Sequence, residues 1–252
     1  MKNKAKIITV TSMKGGVGKT TVSMMIADIL SKNKSTLLID LDLYGGNLAF
    51  ALGIKPKKTI YNMCDDLRNK KYESSTPYTY YVRDNLSFIP APIDMRLSSK
   101  IDVKALSQVL DLLMYSYEYI VIDTNNTLSP LNMLLFDKSM KIIDIVGDDA
   151  YNLEINKSFI SITKNMKVDN VVVLLNKSYR DIKDNYDIYD IKTVIKKLDY
   201  SISNKLFINN YNELVMDEKI INFNEIFTGE AKKEYETFSN NIRSLVEEED
   251  YE

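Results

Sequence analysis

The eight residues Lys14-Gly15-Gly16-Val17-Gly18-Lys19-Thr20-Thr21 constrain this chain more than any other stretch. They follow an apolar run, Lys6 to Thr11, that reads as a buried strand. They open a segment from Thr20 to about Lys32 in which Val22, Met25, Ile26, Ile29 and Leu30 recur at helical intervals. A glycine-rich turn between a strand and a helix lets successive backbone N–H groups point at one anion with no Cβ in the way. The helix N-terminus behind it adds its dipole. In a phosphate-binding loop of this kind, Gly15, Gly16, Val17 and Gly18 form the cradle and Lys19 reaches the β and γ phosphates. The Thr20 hydroxyl coordinates Mg²⁺, and Thr21 helps hold the α phosphate.

The rest of the chain repeats the strand-then-helix rhythm. Strands are predicted at Thr36 to Leu41, Leu86 to Ile89, Tyr119 to Ile122, Lys141 to Val146 and Asn170 to Leu175, with a last short one starting at Phe207 and Ile208. That alternation predicts an α/β fold, doubly wound around a mostly parallel sheet with helices on both faces, in one domain over 1–252. The segment from Lys55 to Arg83 is tyrosine-rich and mixed in charge, and it reads as an irregular insertion over one face of the sheet. From Ala231 onward, Tyr235, Phe238, Ile242, Leu245 and Val246 follow a helical period that predicts a packed terminal helix, and the sequence then turns acidic.

Composition narrows the chemistry by exclusion. The 252 residues hold no His and a single Cys, Cys64, which argues against zinc sites, Ser-His-Asp catalysis and an internal disulfide framework. Lys and Arg number 33 against 35 Asp and Glu, so the net charge of -2 exerts no overall pull toward nucleic acid. No apolar run reaches the roughly 18 to 20 residues that cross a bilayer as a helix. A cytoplasmic location is the expectation.

Two further strand ends carry carboxylates. Leu37-Leu38-Ile39-Asp40-Leu41-Asp42 places a pair where ligands bind in open α/β sheets. Strand-end Asp residues also cap helices, but this spacing after a phosphate loop favours catalysis. Tyr119-Ile120-Val121-Ile122-Asp123 ends an apolar strand in a carboxylate suited to hold Mg²⁺ through water.

Two features carry a family resemblance: Met13 stands where the general phosphate loop has its first glycine, and a second lysine, Lys14, comes next, ahead of Gly15 to Thr20. Together they resemble the deviant-loop ATPases of the ParA/MinD family. That resemblance implies bound ATP, slow hydrolysis and an ATP-dependent homodimer in which Lys14 reaches across to the partner's nucleotide. It assigns the water-activating role to Asp42, places Asp40 near the Mg²⁺ shell with Asp123 and Thr20, and makes Asn176 of Asn176-Lys177 an adenine contact, with a plain loop Asn as the alternative. Thr124-Asn125-Asn126 departs from the Thr-Pro-Pro or Thr-Pro-Ala of the family's second switch.

The wording from Asp40 to Leu48, with Leu86 to Pro92, is most similar to the CpaE/TadZ branch that accompanies pilus assembly machines. The implied function is a switch that positions an assembly through a protein partner, with recruitment to a pole or a membrane-associated machine. Partition on DNA is the alternative. Lys164, Lys167, Lys177, Arg180 and Lys183 make only a loose basic patch for it.

Overall fold

A computed structural model describes residues 4–146, 150–176, 223 and 227–247. Among the described residues seven strands form one sheet in the order β3-β4-β2-β5-β1-β6-β7. They are β1 (Lys6–Thr11), β2 (Thr36–Leu41), β3 (Tyr80–Arg83), β4 (Leu86–Ile89), β5 (Tyr119–Thr124), β6 (Lys141–Val146) and β7 (Val171–Leu175). All neighbours are parallel except β3 and β4, which pair antiparallel at the edge. The predicted strand at Phe207 and Ile208 lies outside the described residues.

Burial on both faces explains the near-continuous apolar strands. Side chains alternate across the pleat, so Ile8, Val10, Leu38, Val121, Ile143 and Ile145 face one layer, with helix α1 (Lys19–Ser31). Ile7, Leu37, Ile39, Ile120 and Ile122 face the other, formed by α3 (Ile60–Arg68) and α5 (Val103–Leu113). Short helices α2 (Leu48–Ala51) and α4 (Met95–Ser98) follow β2 and β4. Helix α6 (Pro130–Lys138) precedes β6 and α7 (Ala150–Asn165) follows it. The terminal helix α8 (Gly229–Glu247) packs Tyr235, Phe238, Ile242, Leu245 and Val246 into the α1 layer, as its period predicts. Burying each of these is worth about 1.5–3 kcal/mol, so the apolar face of α8 is spent on the domain itself.

The segment from Lys55 to Arg83 is not irregular. Ile60, Met63 and Cys64 are buried on one face of α3, and Asn62 Oδ1 accepts from the Thr59 backbone N–H at 2.9 Å, one arm of a capping box. A 3₁₀ turn, Thr76–Tyr78, then leads into edge strand β3. The tyrosines that suggested an irregular insertion include two with defined partners: Tyr78 OH donates to Asp66 at 2.6 Å, and Tyr80 OH accepts from the Lys57 and Lys58 N–H groups.

Parallel register aligns the functional strand ends. Asp40 on β2 stands opposite Asp123 on β5, Asp123 opposite Val10 on β1, and Thr11 on β1 opposite Asp144 on β6. The loop from β1 into α1 therefore lies over a row of carboxylates.

Candidate functional site: a phosphate cradle over strand-end carboxylates

Gly16 and Gly18 have φ of 77° and 94°, in the region that L side chains rarely enter. Gly18 carries a second constraint, because a Cβ there would stand 2.5 Å from Asn176 Nδ2. Gly15 and Gly16 are exposed, while Val17 is buried and anchors the loop to the core. No acidic residue occupies the first turn of α1, so the positive end of the helix is left for an incoming anion. Lys14 is half-buried at the loop entrance, where its N–H donates to Ser12 Oγ at 3.2 Å.

Lys19 is buried, and its Nζ donates to Lys14 O at a long 3.5 Å. Burial pulls its pKa down, while Asp123, Asp42 and Asp144 hold it up. Thr20 Oγ1 donates to Asp123 Oδ2 at 2.7 Å, and Ser23 Oγ donates to Asp123 Oδ1 at 3.1 Å. Even with these donors, burial pushes the Asp123 carboxyl up to about 6. Asp40 is raised well above the carboxylate range by burial and then by the neighbouring Asp123. Asp123 and Asp42 thus both act on Lys19 while Asp40 neighbours Asp123, so carboxylates outnumber the lysine beside them, an arrangement suited to a further cation.

Asp40 also organises its own loop. Its oxygens accept from the Asp42 N–H at 3.1 Å and the Leu48 N–H at 3.4 Å. The chain folds over it so tightly that a Cβ on Gly46 would lie 2.6 Å from Asp40 Oδ2, and one on Gly45 would lie 3.2 Å from Asp42 Oδ2. Asp42 itself is half-buried beneath this turn. Thr21 stands half-buried in the first turn of α1. Asn176 follows β7 and reaches the loop, with its Nδ2 donating to Val17 O at 2.6 Å. The phosphate loop, Asp40, Asp42, Asp123 and Asn176 therefore converge. Of the loose basic patch, Lys164 and Lys167 are exposed and Lys177, Arg180 and Lys183 lie outside the described residues.

Several groups escaped the sequence reading. Ser23 lies one helical turn after Thr20, and only knowing which helix face meets β5 would have singled it out. Asp144 interrupts the apolar run of β6, which is a visible signal. It is fully buried, neither oxygen has a hydrogen-bond partner among the described residues, and burial pushes its carboxyl well up. The loop after Asp123 is cross-tied: Asn125 Oδ1 accepts from Thr127 N, Thr127 Oγ1 and the buried Asn132 Nδ2 at 3.2, 2.8 and 3.0 Å. Asn132 Nδ2 donates to Thr127 O as well, at 2.6 Å.

Among the described residues no helix is long and apolar enough to cross a membrane. The pattern of an AAA domain family matches residues 5–169. An uncharacterized ATP-binding protein of Methanocaldococcus jannaschii is 27% identical over 246 residues, covering 95% of this chain and 86% of the relative. The septum site-determining protein MinD of Thermotoga maritima is 32% identical over 121 residues, 47% of this chain and 43% of that protein. Among solved structures, a ParA family ATPase from Chlorobium tepidum superimposes with a TM-score of 0.79 at 15% identity, covering 97% of this chain and 99% of the other. A putative plasmid partition protein from Borrelia burgdorferi bound to AMPPNP gives 0.71 at 26% identity, with 98% and 100% covered. Loop, sheet order, strand-end carboxylates and relatives agree, and the chain belongs to the ParA/MinD family of P-loop ATPases.

Proposed function

We propose that the chain is a dimeric, ATP-hydrolysing switch that positions or partitions a cellular assembly. The observation that carries this reading is the phosphate loop set beside Asp40, Asp42 and Asp123, with Lys19 near Asp123 and Asp42. In it, Lys19 and the α1 N-terminus bind the β and γ phosphates, Thr21 the α phosphate, and Asn176, through its Oδ1, the adenine amine. Mg²⁺ suits the donor set. Thr20 and Asp123 offer hard oxygens 2.7 Å apart, with Asp40 behind them. Among the described residues no three acidic or thiol groups converge as a metal cage, which fits an ion held by one or two carboxylates plus substrate phosphates. When bound, Mg²⁺ neutralises charge on the phosphates. Asp42, on its constrained turn, orients the attacking water.

Lys14, at the loop entrance, is assigned to the partner's nucleotide in a homodimer. The wording from Asp40 to Leu48 favours a protein partner of pilus-assembly type, engaged at a pole or a membrane-associated machine from a cytoplasmic pool. The likeness to a plasmid partition protein bound to AMPPNP supports DNA partition as the second reading.

The test measures phosphate release, ATP affinity and dimer fraction in the wild type, Asp42→Ala and Lys14→Ala. Asp42→Ala should keep ATP affinity, lose about 10²- to 10⁴-fold in turnover and accumulate as a dimer. Lys14→Ala should bind ATP as a monomer. Turnover that survives in Asp42→Ala reduces Asp42 to a loop residue, and a wild type with neither turnover nor dimer ends the switch reading.

A further inference from the structure

The loop after β5 ends above the phosphate cradle. Thr124 Oγ1 donates to Val10 O at 2.8 Å and ties the end of β5 to β1. The next residue, Asn125, spends its side-chain oxygen on the three donors from Thr127 and Asn132. Because Asn132 is buried on α6, the turn is fixed from below. Asn126 sits between Asn125 and Thr127, which are tied to each other. It is exposed, and a Cβ built on Gly15 would lie 4.0 Å from its Nδ2. No hydrogen bond to the Asn126 side chain occurs among the described residues.

A neutral amide held at this height has a defined reach. Phosphate oxygens in such a cradle sit about 3 Å from the loop N–H groups, so an anion over Gly15 falls within hydrogen-bond distance of Asn126. Gly15 is at the loop entrance, far from the helix side where Thr20 and Thr21 hold Mg²⁺ and the α phosphate. The phosphate nearest it is the terminal one. Proline, common at this place in the family, has no side-chain donor and could not make the contact.

We infer that Asn126 is a further substrate contact, an amide that donates to the terminal phosphate and lets the site distinguish ATP from ADP. The inference rests on the proposed ATP site. Asn125 and Asn132 act through it as positioning residues.

The experiment is calorimetric binding of Mg-AMPPNP and of Mg-ADP to the full chain, in the wild type, Asn126→Ala and Asn126→Gln. Asn126→Ala should weaken AMPPNP about tenfold, the low end for a hydrogen bond to a charged group in a partly solvated site. ADP should stay within about twofold, and Asn126→Gln should recover part of the AMPPNP loss. Because Asn126 is exposed, the variants should melt with the wild type. If AMPPNP and ADP change equally, or neither changes, Asn126 does not touch the terminal phosphate. If the wild type binds neither nucleotide, the ATP site fails and the contact with it, an outcome distinct from the selective failure.

Discussion

Helix α1 carries a buried acidic site near each end, and the two are built on opposite principles. At its N-terminus, Asp123 meets Thr20 and Ser23 with Asp40 and Asp42 close by, and Lys19 is the cation that Asp123 and Asp42 share. Roughly 12 Å further along the helix, Asp28 is as deeply buried. Arg83 Nη2 donates to it at 2.5 Å, Tyr235 OH donates to its other oxygen, and Lys32 stands 5.6 Å from the Tyr235 ring. Burial still pushes the Asp28 carboxyl up, but each of its two oxygens has a donor. The first cluster is short of cations and the second is not. An anionic excess in the interior is costly, and it lies here at the site proposed above to take Mg²⁺. The balanced cluster joins α1, the β3 edge and α8 into one unit.

Removing Asp28 should give the largest effect. Asp28→Ala strips the Arg83 guanidinium, about one-third exposed, of its carboxylate, leaving it the residue-28 carbonyl and Ser31 Oγ, and takes the acceptor from the buried Tyr235 hydroxyl. Loss of one member of a buried ion pair costs about 3–5 kcal/mol, and the partial exposure of Arg83 argues for the lower end, about 3 kcal/mol. Urea unfolding at pH 7 measures it. A loss of under about 1 kcal/mol would mean that the cluster does not tie the three elements together.

At the other end of α1 the sign should reverse. In the nucleotide-free protein Asp123 has its pKa raised to about 6 from 3.8. The folded state then holds the proton more tightly than the unfolded chain does, so this group's contribution falls as pH rises from about 4 to about 6 and is a constant cost above that. A shift of two units is roughly 3 kcal/mol, and imperfect hydrogen bonding of an amide to Thr20 and Ser23 takes back about 1 kcal/mol. Asp123→Asn should therefore stabilise the nucleotide-free protein by about 2 kcal/mol at pH 7.5, with the gain lost as pH falls and replaced by a deficit of about 1 kcal/mol toward pH 4. Unfolding curves at both pH values decide it, and a pH-independent difference would count against an uncompensated charge.

The same contrast separates what was legible in the sequence. Lys19, Thr20, Asp40, Asp42 and Asp123 were readable because the phosphate loop and strand ends are local patterns whose meaning survives without coordinates. Asp28 was not, since its partners lie 55 and 207 residues away and nothing local marks a helical Asp as buried. Helix α3 was missed because tyrosines and mixed charge hid the Ile60, Met63 and Cys64 stripe. The Asn125–Asn132 tie was missed because its meaning depends on α6 folding back under the loop. The mostly parallel sheet with helices on both faces followed from the strand-then-helix alternation, whereas its strand order did not, and edge strand β3, half-exposed and four residues long, carried too little apolar pattern to be seen.

Tyr235→Phe should sharpen the comparison with the smallest change. The ring stays packed between Phe223 and Phe227, at centroid distances of 5.8 and 5.4 Å, so apolar burial is nearly conserved and only the hydroxyl is lost. Asp28 then keeps Arg83 but loses the donor to its second oxygen. A hydrogen bond to a charged group is worth about 1.5–3 kcal/mol, and retained pairing with Arg83 argues for less, about 1 kcal/mol by urea unfolding. Nucleotide affinity should not change, because the substitution lies at the helix end remote from the phosphates. A variant that unfolds as easily as Asp28→Ala would make the hydroxyl, not the ion pair, the main tie between α8 and α1. One that weakens AMPPNP binding would show that the two ends of the helix are coupled.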